Sequence, residues 1–153
     1  MRKAVLFLFI YLLLTLNAYA ESILLIRGLD QIIFRGMDVL GAELHRYGHN
    51  VVVSSPIAAM EDFNNYDVVI GNSQGAVVAM NRKQKIKPRL VVTIDIPYHA
   101  NWVAKTGMRH LNIHGPGWGK IKGAKNIFIP RSHLALSFDA GMKNIVINNV
   151  MVW

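Results

Sequence analysis

The sequence predicts an α/β fold in which a mostly parallel central sheet carries helices on both faces. Short apolar runs alternate along the chain with segments of helical pattern, which is the order found in β-α-β units. The apolar runs are continuous rather than alternating, as expected of strands buried on both faces. No internal repeat or low-complexity linker interrupts this order, so residues 21–153 are expected to form one domain.

Six apolar runs predict the strands. They cover residues 22–26, 51–53, 67–70, 90–94, 110–113 and 126–129, and the fifth is the weakest. The stretch 97–125 around that fifth run is rich in glycine and is expected to be mostly loop.

Helical spacing predicts the elements between the strands. Residues 34–47 place Met37, Leu40 and Leu44 on one face of a helix that Gly48 is suited to end. Pro56 favours the first turn of a second helix. An alanine- and valine-rich run predicts a third helix at 74–83, and the last helix is expected at 140–151.

The first 20 residues have the composition of a signal peptide. Arg2 and Lys3 give a basic start, an apolar run follows, and residues 18–20 have the small-x-small form of a cleavage site. The apolar run is shorter than the roughly 20 residues that a spanning helix needs. We therefore expect cleavage after Ala20 and a periplasmic or secreted product with no stable membrane insertion. An uncleaved anchor is the alternative.

Cysteine content and charge restrict the possible functions. The chain has no cysteine, which excludes disulfides, zinc–thiolate sites and cysteine nucleophiles. The net charge of +8 falls by two to +6 if Arg2 and Lys3 are removed, and residues 82–89 hold five cations. These cations suit a helix C-terminus, and the alternative is a patch for anionic polymers or membrane surfaces. No aromatic residue interleaves with them, so no specific nucleic-acid partner is expected.

A serine lies between two glycines after the third predicted strand. Residues 71–75 read Gly-Asn-Ser-Gln-Gly, the G-x-S-x-G spacing, between a strand and an apolar helix. Such a turn projects the Ser73 hydroxyl from the sheet and places the amide of Gln74 beside a developing oxyanion. The alternative is an ordinary N-cap serine. The context favours Ser73 as a nucleophile.

Two further residues follow strands and have the chemistry that a serine nucleophile needs. Asp95 follows the fourth predicted strand, and His133 follows the sixth. A serine needs a base, and the base needs an acceptor that holds its tautomer, so the order Ser73, Asp95, His133 predicts a triad. Asp95 also fits a turn cap and His133 a surface position. Asp139 is the rival acid, although it also suits a cap at the last helix.

At this point the chain resembles the α/β-hydrolase superfamily. The resemblance rests on the turn at 71–75, on Arg27-Gly28 after the first strand, on the order of the three triad candidates and on Ser132-His133. It covers nearly all of residues 21–153. It implies a serine hydrolase that acts on esters, thioesters or amides without a metal or organic cofactor.

The resemblance also assigns roles. Ser73 is the nucleophile, His133 the general base and Asp95 its partner, while the backbone amides of Leu29 and Gln74 form the oxyanion hole. For Leu29, an ordinary tight turn at Gly28 is the alternative. The implied reaction is cleavage of a small carboxylic ester through an acyl-enzyme.

Several features depart from the family pattern. Arg27 stands where a histidine is common, and the strand after which the acid usually lies is followed by His114-Gly115. Asp95 fits the earlier position that some lipases of the family use. The chain leaves no room for a lid or cap domain. A catalytically inactive binding protein on this fold, one that binds anionic surfaces, is therefore the alternative function.

Aromatic residues between the acid and the base suggest the character of the site. We expect the loop that carries Tyr98, Trp102 and Trp118 to wall one side of an open, shallow site that prefers short, soluble acyl esters. The alternative is that these aromatic residues anchor the loop on the core. The sequence does not specify the acyl group, the leaving group or the oligomeric state.

Overall fold

The protein has one parallel sheet with helices on both faces, which confirms the predicted fold class. The structure is a computed structural model and describes residues 20–29, 35–82, 84–97 and 101–152. The strands are β1 (Ser22–Ile26), β2 (Asn50–Ser54), β3 (Val68–Asn72), β4 (Leu90–Ile94), β5 (Arg109–His114) and β6 (Lys125–Phe128). They lie in the order β2-β1-β3-β4-β5-β6, and every neighbouring pair is parallel.

Five helices connect or flank these strands in the described part of the chain. They are α1 (Gly36–Arg46), α2 (Pro56–Glu61), α3 (Gln74–Asn81), α4 (His133–Leu136) and α5 (Ala140–Met151). The buried apolar side chains of α1 and α5 pack in one cluster on one face of the sheet. Those of α2 and α3 pack on the other face. The sheet is therefore the middle of three layers.

The two central strands are the most deeply enclosed. Every residue of β3 and β4 is buried, whereas the edge strands β2 and β6 contain half-buried and exposed residues. On β2, Val52 is 41% exposed. The expectation that all strands are buried on both faces is therefore wrong for the edges, where no outer neighbour covers the strand.

Most predicted boundaries agree with the structure to within one or two residues. β1, β4 and α5 have the predicted bounds. β3 extends two residues further than expected, because Gly71 and Asn72 still pair with Thr93 and Ile94 of β4. The four-residue helix α4 was not predicted, since a single turn is too short to show a period.

The basic stretch lies mostly beyond the helix. α3 ends at Asn81 with Arg82 as its C-cap, while Lys85, Lys87 and Arg89 lie in irregular chain. The interpretation as cations at a helix C-terminus thus applies to Arg82 alone among the described residues. Lys83 and the predicted signal peptide up to residue 19 lie outside the described residues. In the part that is described, none of the helices combines the length and apolarity that crossing a membrane requires.

Candidate functional site

Ser73 occupies a strained turn between β3 and α3. Its backbone has φ 55° and ψ −121°, a region that favours glycine. Holding a residue with a side chain there costs about 1–3 kcal/mol, so the surroundings must enforce it. The Ser73 amide donates a hydrogen bond to the carbonyl of Ile94 over 2.8 Å. Ser73 is also the N-cap residue of α3, yet its side chain makes no capping hydrogen bond. The ordinary N-cap interpretation therefore does not explain this serine.

The two glycines of the motif are required by close backbone contacts. A Cβ at Gly71 would lie closer than 3.0 Å to the carbonyl of Gly75. A Cβ at Gly75 would lie equally close to the carbonyls of Ile26 and Arg27. The first turn of α3 therefore packs directly against the end of β1. This contact brings the segment after β1 next to the turn that carries Ser73.

Asp95 and His133 form a hydrogen-bonded pair. The Nδ1 atom of His133 lies 2.9 Å from Oδ2 of Asp95, whose side chain is fully buried. The other carboxylate oxygen of Asp95 accepts a hydrogen bond from the Gly115 amide over 2.7 Å. A carboxylate only accepts hydrogen bonds, so Nδ1 of His133 is the donor in this pair. The His133 side chain is 21% exposed.

The sheet register places Ser73 and Asp95 side by side. Asn72 and Ile94 are partners in the β3–β4 register, and the two candidates are the next residues. Neighbouring strands are about 4.8 Å apart. Asp95 also has a positive φ of 48°, and within the described residues these two are the only residues other than glycine with positive φ. Two adjacent strand ends are thus both held in unfavourable backbone conformations.

Asp139, the rival acid, caps a helix. Its carboxylate accepts a hydrogen bond from the Met142 amide over 2.9 Å at the start of α5 and pairs with Arg131 over 3.0 Å. The Met142 amide and then Arg131 lower the pKa of Asp139 below its usual value. The cap role that the sequence suggested for it is confirmed, and the structure brings Asp95 rather than Asp139 to His133.

The two candidate oxyanion donors lie on neighbouring segments. Gln74 is the first residue of α3. Leu29 lies in the segment after β1, is 64% exposed, and follows the buried Gly28. The guanidinium group of Arg27 forms an ion pair with Asp38 of α1. Residues 30–34 lie outside the described residues.

An indole ring covers one face of the histidine. Trp118 stacks on His133 with ring centroids 4.0 Å apart and an angle of 21° between the planes. Trp102 instead donates its indole N–H to the Pro97 carbonyl over 2.9 Å and so braces its own loop. Of the two roles considered for the aromatic residues, Trp118 therefore contacts the candidate site and Trp102 anchors the loop. Tyr98 lies outside the described residues.

Sequence reasoning missed the role of Gly115 and did not identify His133 as the residue that Trp118 contacts. Gly115 supplies the amide that binds Asp95, and a Cβ there would lie closer than 3.0 Å to the Arg131 carbonyl. A glycine directly after a predicted strand was the available signal. The stacking of Trp118 had no local signal, because it joins positions on different loops. Among the described residues, no cluster of three or more His, Asp or Glu side chains suits a metal ion.

Comparison with known proteins did not identify a relative of this chain. Searches against protein-family models, curated proteins and solved structures found no match to this chain.

Proposed function

We propose that this protein is a serine hydrolase that cleaves carboxylic esters or related acyl bonds through Ser73, His133 and Asp95. The observation that carries the proposal is the 2.9 Å contact between Asp95 and His133, beside a serine held at positive φ. A buried acid that holds the histidine, with a half-buried turn serine at the end of the neighbouring strand, is an arrangement that suits activation of a hydroxyl group.

The proposed reaction proceeds in two halves. The Ser73 oxygen attacks the ester carbonyl carbon while its proton moves to Nε2 of His133. The bond to the leaving oxygen then breaks, and the alcohol departs with that proton. A water molecule next gives its proton to His133 and attacks the acyl-enzyme, which releases the acid and restores Ser73. Asp95 holds the ring throughout and stabilises the imidazolium.

The oxyanion that forms in each half needs hydrogen-bond donors. In the proposal these are the backbone amides of Gln74 and Leu29, with the first at the positive end of α3. Losing one such donor typically slows a reaction by about 10²–10³. The contact between Gly75 and the end of β1 supports this role, because it keeps the two segments together.

The deciding experiment is labelling with a fluorophosphonate probe, which reacts with activated serines without requiring a known substrate. We expect the purified protein to be labelled at Ser73, and Ser73→Ala to lose both labelling and ester cleavage while it stays folded. Ser54→Ala is the matched control, since Ser54 also ends a strand at this edge of the sheet but in regular strand conformation. A folded wild type that resists the probe, under conditions that label other serine hydrolases, would contradict the proposal.

The substrate is proposed to be a short, soluble acyl ester. Trp118, which stacks on His133, also lines an open groove of about 920 Å³ together with Trp102, Lys120 and Lys122. None of Ser73, Asp95 and His133 lines that groove, so its link to the candidate triad is Trp118. A series of nitrophenyl esters tests the proposal. Rates that climb steadily with acyl length, or activity that begins only above the substrate's solubility limit, would indicate a lipase instead.

Export remains a proposal that rests on the composition of residues 1–20. N-terminal sequencing of the mature protein should begin at Glu21. Retention of Met1 on membrane-bound protein would indicate an anchor.

A further inference from the structure

A row of polar side chains crosses three neighbouring strands on one face of the sheet. Thr93 of β4 pairs in register with Asn112 of β5, which in turn pairs with Asn126 of β6. These three residues form the polar row. Thr93 and Asn112 are fully buried, whereas Asn126 is exposed on the edge strand. Burying a polar group costs free energy unless it is hydrogen-bonded, so the partners of the buried members indicate their role.

Hydrogen bonds join the polar row in series. The Thr93 hydroxyl donates to Oδ1 of Asn112, and Nδ2 of Asn112 donates to Oδ1 of Asn126, each over 2.8 Å. Nε2 of His110 lies 3.1 Å from the Thr93 oxygen. Burial lowers the pKa of His110 to about 4, so this histidine brings no charge to the polar row at neutral pH.

The two asparagines also hold the loop between β5 and β6, residues 115–124. Nδ2 of Asn112 donates a second hydrogen bond to the Gly119 carbonyl over 3.0 Å. Asn126 accepts a hydrogen bond from the Ile121 amide and donates one to the Ile121 carbonyl, each over 2.9 Å. The sheet therefore holds the backbone of this loop at Gly119 and at Ile121.

The held part of the loop carries Trp118. The next residue, Gly119, is bound through both of its backbone polar atoms, because its amide donates to the Ile96 carbonyl over 3.0 Å and its carbonyl accepts from Asn112. The Trp118 side chain therefore starts from a fixed point of the backbone. Its indole ring stacks on His133, with ring centroids 4.0 Å apart.

The stacked indole restrains a motion that the hydrogen bond between His133 and Asp95 permits. That bond fixes the position of Nδ1, but the imidazole ring can still tilt about it. A flat partner against the face of the ring opposes the tilt. The two contacts together fix the direction in which Nε2 points, and a general base must point at the proton that it takes.

We propose that Asn112 and Asn126 are positioning residues, which act on His133 through the loop backbone and Trp118. The two amides hold Trp118, and Trp118 holds the plane of the imidazole ring. The catalytic consequence rests on the proposed hydrolase function, in which His133 is the base. The structural part, that the asparagines keep Trp118 on His133, requires no activity.

NMR of the histidine side chains in the purified protein tests the structural part. The ring current of a stacked indole moves the imidazole C–H signals upfield, and the signals that are lost in His133→Gln belong to His133. Spectra are recorded at about pH 9, above the range in which histidines ordinarily titrate. We expect Trp118→Leu to abolish the upfield shift of the His133 signals, and Asn112→Ala and Asn126→Ala to reduce it.

A control variant and an exposed position keep this test decisive. Asn149→Ala is the matched control, because it also removes an asparagine amide that donates to a backbone carbonyl, that of Ile145 over 2.8 Å, but within α5. It should leave the His133 signals unchanged. Asn126 is exposed, so Asn126→Ala gives a result even if the buried Asn112→Ala fails to fold. His133 signals that do not differ between wild type and Trp118→Leu overturn the proposal, as does a full upfield shift in folded Asn126→Ala.

Ester kinetics test the catalytic part. Asn112→Ala and Asn126→Ala should lower kcat by about tenfold or more, because Nε2 is then less well aligned with the proton that it takes. KM should change little in Asn112→Ala, since a fully buried side chain does not contact the substrate. Unchanged kcat in variants that have lost the upfield shift overturns the catalytic part. A wild type that resists the fluorophosphonate probe but shows the expected NMR changes refutes the hydrolase function and supports the structural part.

Discussion

The backbone strain at Ser73 can be measured by comparing two inactive variants. Ser73→Ala keeps a Cβ at φ 55°, whereas Ser73→Gly removes it and relieves a strain of about 1–3 kcal/mol. Glycine has greater conformational freedom in the unfolded chain, and this lowers the stability of the glycine variant by roughly 0.5–1 kcal/mol. We therefore expect Ser73→Gly to be more stable than Ser73→Ala by about 1 kcal/mol.

Urea unfolding of both variants provides the measurement. A difference of this size should separate the midpoints without changing the slope, and should raise Tm by about 3 °C in a domain of this length. The control pair is Ser54→Gly and Ser54→Ala in β2, where strand backbone reverses the order and makes glycine the less stable by roughly 0.5–1 kcal/mol. If Ser73→Ala equals or exceeds Ser73→Gly in stability, the strain is not a property of this turn.

Three further expectations concern the acid, the second glycine and pH. Asp95→Asn should reduce ester turnover by about 10⁴ through the wrong histidine tautomer, whereas Asp139→Asn should keep turnover. Asp139→Ala, which removes the cap, should also keep turnover and lose about 1 kcal/mol of stability in urea unfolding. Gly75→Ala should destabilise the fold by more than about 2 kcal/mol in the same assay, because its Cβ would meet the Ile26 carbonyl. Stability should fall as the pH drops from 6.5 to 4, and His110→Gln should flatten this fall.

The sign of the pH effect follows from the lowered pKa of His110. Between pH 6.5 and about 4 the unfolded chain binds a proton that the folded protein does not, so acid favours unfolding by up to about 3 kcal/mol. Burial also lowers the pKa of His49, so His49 contributes to the loss of stability in acid in the same way. Asp62 and Asp139 have lowered pKa values, so their stabilisation is lost only below about pH 3.8. If stability falls with pH as steeply in His110→Gln as in the wild type, the expectation for His110 is refuted. If Asp139→Asn loses ester turnover and Asp95→Asn keeps it, the assignment of the acid is refuted.

Features that depend on local sequence were predictable, and those that depend on contacts between distant segments were not. Continuous apolar runs identified β1 and β4 because burial on both faces leaves few polar positions, Ser22 and Thr93 being the exceptions. The cap at Asp139 was predictable because it acts within one helical turn. The stacking of Trp118 on His133 joins separate loops. The exposure of Val52 depends on which strand lies at the edge, and strand order was not predicted.

The location of the strain supports a functional cause for it. Strained residues persist where the surrounding structure over-determines them, and Ser73 and Asp95 follow β3 and β4, the two strands that are buried along their whole length. A backbone hydrogen bond to the neighbouring strand also fixes each residue. The Ser73 amide donates to the Ile94 carbonyl and the Asp95 amide to the Ile113 carbonyl, each over 2.8 Å. Glycine at either position would adopt positive φ without this strain. Retaining side chains at two adjacent strained positions, one of which binds His133, is explained if those side chains perform chemistry together.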